Sequence, residues 1–132
     1  MKKILFGLAV LATLGLQASA NDALRTSMTE MRDGLQSIQD GFSYNNKHQI
    51  LKGIDTIEKA NEMFHDEKSS AKYLPKDKQR LAKVSFLSTR TLNTSLNTMK
   101  EYVNAGQIIN AADSMTGVVK SCTRCHAIVR GW

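Results

Sequence analysis

Near the end of the chain, two cysteines and a histidine stand in the order Cys122-Thr123-Arg124-Cys125-His126. C-x-x-C-H is the spacing at which a c-type haem is attached to a polypeptide. Each thiol can add to one vinyl group of the porphyrin, and the imidazole that follows can then bind the iron. These two cysteines are the only ones in the chain. The sequence therefore predicts one covalent haem c, held by Cys122 and Cys125, with His126 as the proximal iron ligand.

Two other kinds of site use closely spaced cysteines, and both remain as alternatives. A redox C-x-x-C usually opens a helix that follows a strand, but no strand pattern precedes Cys122. A zinc site would need further ligands in a matching cluster, and the other histidines, His48 and His65, are far away in sequence and are expected on the surface. A haem-free thiol oxidoreductase is thus a remote alternative.

The first twenty residues have the three parts of a secretory signal peptide. Met1-Lys2-Lys3 is basic, residues 4–16 form an almost unbroken apolar run, and Ala18-Ser19-Ala20 supplies small residues for cleavage. The apolar run is shorter than the roughly 20 residues that a membrane-spanning helix needs. We expect residues 1–20 to be removed, the protein to be exported to the periplasm, and no segment to span a membrane.

The remaining part, residues 21–132, is long enough for one domain with one core. It carries 16 basic and 12 acidic residues, a net charge of +4. Such a charge can attract an acidic redox partner. No basic cluster is interleaved with aromatic residues, so nucleic acid is not an expected partner.

Apolar residues recur at steps of three and four along most of this domain, the period of amphipathic helices. Four such segments are predicted, and Lys68–Lys76 with Pro75 is predicted as a polar connection. The helices are expected from Leu24 to Phe42, from about Lys47 to His65, from near Lys76 to Val103, and from Ile108 to Val129. Their short links predict an all-α fold, an antiparallel four-helix bundle.

The order of the helices predicts where the haem lies. In an antiparallel bundle, the first helix begins at the end where the fourth helix finishes. Met28 lies near the start of the first helix and His126 near the end of the fourth. At about 1.5 Å of rise per residue, both should lie within roughly 10 Å of that shared end. We expect the haem edge between these two helices, with the iron between His126 and residue 28.

With these features, the chain resembles the class II c-type cytochromes, the cytochrome c prime family. The resemblance covers essentially the whole predicted domain. It rests on the late C-x-x-C-H, on Arg130 four residues after the histidine, and on the apolar rhythm of Met28, Met31, Leu35 and Ile38. In the family, the position of Met28 faces the distal side of the iron. Methionine there binds iron in the low-spin branch, whereas leucine or another apolar residue shields an open site in the gas-binding branch.

The chain departs from the family pattern at two positions. The family often has an arginine four residues before the distal position, near a haem propionate; here Leu24 stands there and Arg25 follows. An aromatic residue often precedes the basic residue after the histidine, and here it is Val129. Arg25 and Arg130 are therefore the candidates for contact with a propionate or, for Arg130, with the proximal pocket.

The resemblance to the low-spin branch implies Met28 as the distal iron ligand. A thioether ligand favours ferrous iron and raises the reduction potential. The implied function is the transfer of single electrons between periplasmic donor and acceptor proteins, without an enzymatic reaction. If Met28 only fills space, the iron is five-coordinate and would bind nitric oxide or carbon monoxide, on a distal face expected to offer no hydrogen-bond donor. Members of the family often dimerise through the first two helices, so a homodimer is also an expectation.

Overall fold

The computed structural model describes the backbone of residues 2–131 and the side chains of residues 21–131. The predicted signal peptide, residues 1–20, lies outside the residues whose side chains are described. The described chain is all-helical and has no strand, which confirms the prediction of an all-α fold. Its α-helices are α1 (Lys2–Ser43), α2 (Lys47–Asn61), α3 (Glu67–Tyr73), α4 (Ala82–Asn104) and α5 (Ile108–His126). Short 3₁₀ segments span Glu62–Phe64 and Lys76–Leu81, and a π-helical turn spans Ala127–Gly131.

Tight turns join α1 to α2 and α4 to α5. Asn46 caps α2, because its side chain accepts a hydrogen bond from the backbone N–H of Gln49 at 3.0 Å. After α4, Gly106 takes a φ of +74°, and the N–H of Gln107 reaches back to the carbonyl of Tyr102 at 2.9 Å. A helix that ends at a glycine of positive φ is a common helix terminus. Each turn reverses the chain, so each pair of helices is antiparallel.

Side-chain bonds show that α2 and α4 are also antiparallel. The amide of Asn61 donates to Asn93 Oδ1 at 2.9 Å, whereas Lys100 Nζ lies 2.8 Å from Asp55 Oδ1 and 3.3 Å from Glu58 Oε2. Residues nearer the start of α2 thus contact residues nearer the end of α4, as in an antiparallel pair. The four long helices therefore form a bundle in which neighbours alternate in direction.

The predicted polar connection between the second and third helices is wrong, because it contains α3. Asp66 caps this helix, since its Oδ1 accepts from the backbone N–H of Ser69 at 2.7 Å. The helix is anchored by Tyr73, whose ring lies edge-on to buried Phe64 with 6.4 Å between centroids. The predicted start of the next helix is also early: Lys76–Leu81 is a 3₁₀ segment, and the α-helix begins at Ala82.

The packed core lies in the middle of the bundle and towards the two tight turns. Its fully enclosed side chains come from α1, α2, α4 and α5: Ile38, Ile50, Ile54, Ile57, Leu92, Leu96, Met99, Val103, Ala111 and Val118. At the opposite end, Ser27 Oγ of α1 donates to the carbonyl of Ala60 at 2.7 Å. Within the described part of the chain, α1 packs closely on α2 and α5 on α4, but α1 and α5 do not form a comparable interface. Space is therefore left between α1 and α5 at the end where α5 finishes.

Among the helices that the structure describes, none has the length and apolar content needed to cross a bilayer.

Candidate functional site

A cleft of about 260 Å³ lies between α1, α4 and α5. It is partly open to solvent and lies at the end of the bundle where α5 finishes. Its walls are mainly apolar, with a group of hydroxyls on α4. The lining residues are Met28, Met31, Arg32, Leu35, Asn61, Phe64, Ser85, Ser88, Thr89, Leu92, Ser121, Cys122, Cys125 and His126.

The cleft brings the predicted cysteines and histidine together with Met28. On α5, Cys125 follows Cys122 by three residues and His126 follows it by four, so all three lie on one side of the helix. That face of α5 lines the cleft between α5 and α1. Met28 and Met31 line the cleft from α1, again three residues apart. The topology that the sequence predicted thus places both sets of side chains at one end of the bundle.

The two thiols are half-buried and are not joined in a disulfide. Burial raises the pKa of Cys122, and the nearby Cys125 raises it further. Burial also raises the pKa of Cys125, although a hydrogen bond to Ser85 and the charge of Arg130 oppose this. The Cys125 Sγ lies 3.8 Å from Ser85 Oγ, a weak thiol-to-hydroxyl contact. Both sulfurs are therefore neutral thiols in an apolar setting.

The imidazole of His126 is partly buried beside the thiols. Burial lowers its pKa, and the positive charge of Arg130 lowers it further. The ring is therefore held in the neutral state, which is the state that binds metal ions. Arg130 itself is exposed but is close enough for its charge to act on both Cys125 and His126.

Arg32 is the arginine of α1 that lines the cleft, although it was not among the residues predicted from the sequence. Its guanidinium is mostly exposed at the rim and pairs with Asp33 Oδ1 at 2.7 Å. Arg25 is exposed and is not among the lining residues. The sequence spacing could have identified Arg32 as a candidate, because Arg32 follows Met28 by four residues and so shares its helical face.

The α4 wall of the cleft carries Ser85, Ser88 and Thr89, which the sequence analysis did not select. Thr89 Oγ1 donates to Asn61 Oδ1 at 3.3 Å, whereas Ser88 Oγ has no hydrogen-bond partner. The α4 wall of the cleft therefore carries hydroxyl groups, whereas the expectation of a distal face without hydrogen-bond donors beside Met28 stays a prediction. The available signal was the helical face of Leu92, because steps of four and three back from Leu92 reach Ser88 and Ser85 instead of apolar residues.

Among the residues described, no group of three or more histidine, cysteine, aspartate or glutamate side chains is placed to hold a metal ion by itself.

Comparison with known proteins gives no family assignment for this chain. No family model, no curated protein and no solved structure matches it significantly. The resemblance to class II cytochromes therefore rests on the residues named above.

Proposed function

We propose that this protein is a c-type cytochrome that holds one haem in the cleft and transfers single electrons between periplasmic proteins. The observation that carries the proposal is that Cys122, Cys125 and His126 all line one apolar cleft, with Met28 and Met31 on the α1 wall of that cleft. Two thiols and one neutral imidazole are the donors that a covalent haem c requires, and a thioether can complete the coordination of its iron. The residues present thus fit the group.

Each side chain has a definite task in this proposal. The sulfurs of Cys122 and Cys125 attach the porphyrin, and His126 binds the iron from the α5 side. Met28 is the proposed distal ligand on α1. When bound, haem supplies a reversible one-electron couple of its iron. The packed core takes side chains from α1, α2, α4 and α5 and adjoins the cleft, so it would help to keep these residues in place.

The state of the thiols argues against a thiol oxidoreductase. Reactive cysteines in C-x-x-C motifs have lowered pKa values, because the thiolate is the nucleophile. Here burial raises the pKa of both Cys122 and Cys125. The motif also ends α5, so it lacks the positive helix start that stabilises thiolates. Buried neutral thiols agree better with sulfurs destined for thioether bonds.

The charge distribution supports an acidic redox partner. Residues 76–83 and 120–130 together contain seven basic residues and one acidic residue, whereas the rest of residues 21–132 contains nine basic and eleven acidic. These two segments are neighbours, because the 3₁₀ segment Lys76–Leu81 packs on the turn Ala127–Gly131. Positive charge is thus concentrated beside the C-x-x-C-H motif. Such a surface would attract and orient a negatively charged protein near the proposed haem site.

A five-coordinate site that binds nitric oxide or carbon monoxide is the second candidate. The hydroxyls of the α4 wall favour it, because a donor near an open coordination position can stabilise a bound diatomic molecule. The two candidates differ in whether Met28 binds the iron.

Intact mass spectrometry tests the proposal as a whole. The full chain is expressed in bacteria that mature c-type cytochromes, exported, denatured and weighed. We expect the mass of the processed chain plus one haem, and we expect Cys122→Ser with Cys125→Ser to abolish that addition. A wild-type mass without haem from competent cells would exclude the proposal.

The absorption spectrum then separates the two candidates. A low-spin ferric spectrum, with a ferrous form that carbon monoxide does not change, would support electron transfer. A high-spin spectrum that changes with carbon monoxide would support gas binding.

A further inference from the structure

The Ser88 hydroxyl is the buried polar group of the cleft that lacks a partner. Ser88 is 6% exposed, and its Oγ makes no hydrogen bond. Serines in helices commonly donate to the carbonyl four residues earlier. Ser95, two turns further along α4, does so to Thr91 O at 3.1 Å, and Ser121 in the cleft does so to Gly117 O at 2.8 Å. Ser88 therefore lacks the hydrogen bond that Ser95 and Ser121 make.

A buried hydroxyl without a partner opposes folding, because its bonds to water are lost and not replaced. The neighbouring polar groups do not relieve it. Thr89 Oγ1 is committed to Asn61 Oδ1, and Ser85 Oγ is the contact of the Cys125 thiol. Ser88 also lines the cleft. An occupant of the cleft can therefore supply the partner that this buried hydroxyl lacks.

We propose that Ser88 Oγ–H donates a hydrogen bond to the group held in the cleft and thereby raises its reduction potential. This inference rests on the proposed function. The acceptor is electron-rich and has two sources: a carboxylate oxygen of a haem propionate, or an atom on the distal side of the iron. A donor to either acceptor draws electron density away from the iron and so favours the ferrous state. The removal of the donor is therefore expected to lower the potential.

The test compares the midpoint potentials of haem-loaded variants. Ser88→Ala should lower the potential, and Ser88→Thr, which keeps the hydroxyl, should stay near the wild-type value. Ser95→Ala is the matched control, because Ser95 lies on the same helix, has its own partner and does not line the cleft. Ser88→Cys provides a second variant with a weaker donor and should fall between alanine and serine.

Two further measurements identify the acceptor. If it is a propionate, the potential of Ser88→Ala should show a changed pH dependence, because the carboxylate loses a donor that lowered its pKa. If it lies on the distal side, the methionine-to-iron charge-transfer band should shift, or, for an open site, the infrared stretch of ferrous-bound carbon monoxide. Either result supports the inference.

Equal potentials for wild type, Ser88→Ala and Ser88→Cys would overturn the inference. These measurements use only protein whose mass already shows haem. Loss of the haem from the wild type would refute the proposed function, whereas an unmoved potential in haem-loaded variants would refute the role of Ser88 alone.

Discussion

Gly53→Ala probes a close backbone contact between two helices, where α2 packs on α1. A Cβ at Gly53 would lie 2.6 Å from the carbonyl oxygen of Gly34, 2.8 Å from Ile38 Cγ1 and 2.9 Å from Ile38 N. Carbon and other heavy atoms prefer separations of about 3.5–4.0 Å. Two of the three neighbours are backbone atoms, so rotation of a side chain cannot relieve the overlap. α1 and α2 would have to move apart.

The expected cost follows from two opposing effects. Alanine is favoured over glycine inside a helix by about 1 kcal/mol. Overpacking costs about 1–3 kcal/mol, and contact with backbone places this site near the upper value. The free energy of unfolding should therefore fall by about 2 kcal/mol. For a domain of this size, the Tm should fall by about 8 °C.

Gly117→Ala is the matched control for the same substitution on α5. Its Cβ would meet the Oγ of Ser95, a side-chain atom that can rotate away, and the Cβ of Ser95 at 3.1 Å. We expect its free energy of unfolding to stay within about 1 kcal/mol of the wild type, because the gain in helix propensity offsets a small adjustment. Urea and thermal unfolding followed by circular dichroism measure both. A Gly53→Ala protein as stable as the wild type would refute the close-contact argument, as would a larger loss in Gly117→Ala.

Three other experiments test the site and its surroundings. In the haem-loaded protein, Met28→Ala should convert a low-spin ferric spectrum to high-spin, while Met31→Ala should leave it low-spin; the reverse pattern would assign the ligand to Met31. The backbone N–H of Ser69 keeps the pKa of Asp66 below its usual value, so this carboxylate stabilises the fold above its unfolded pKa of roughly 4. That stability should be lost as the pH falls through the lower folded pKa, and a Tm-against-pH curve for Asp66→Asn should lack this component; parallel curves would contradict it. Because burial raises the pKa of Cys122 and Cys125, the haem-free full-length chain should react with iodoacetamide around pH 8 more slowly than the same chain in urea, and equal rates would be the contrary result.

The amphipathic helices and the C-x-x-C-H motif could be predicted from the sequence, because both are local patterns. A step of three or four residues marks one face of a helix, so the stripe of Met28, Met31 and Leu35 and the cluster Cys122, Cys125 and His126 could be assigned to faces. Alternating topology then placed the two sets at one end. The structure shows them in one cleft, whereas the bound haem and the role of Met28 stay predictions.

α3 was missed for the opposite reason. Its seven residues are too short to show a convincing period, and it depends on the Asp66 cap and on the contact of Tyr73 with Phe64. That contact joins residues of different elements, so it has no signature in a local pattern. A polar composition therefore suggested a connection where a helix forms.

The amino-acid sequence alone determined which faces of the helices are apolar and that the two cysteines and His126 lie near the C-terminal end of the chain. The tertiary structure alone decided what those faces meet: α1 and α2 close together at Gly53, α1 and α5 apart, Arg32 at the rim, and Ser88 buried without a partner. The physical reason is that helical period depends on each residue's position along its own helix. Separation between helices depends on side chains contributed by distant parts of the chain, and it is this separation that creates the cleft.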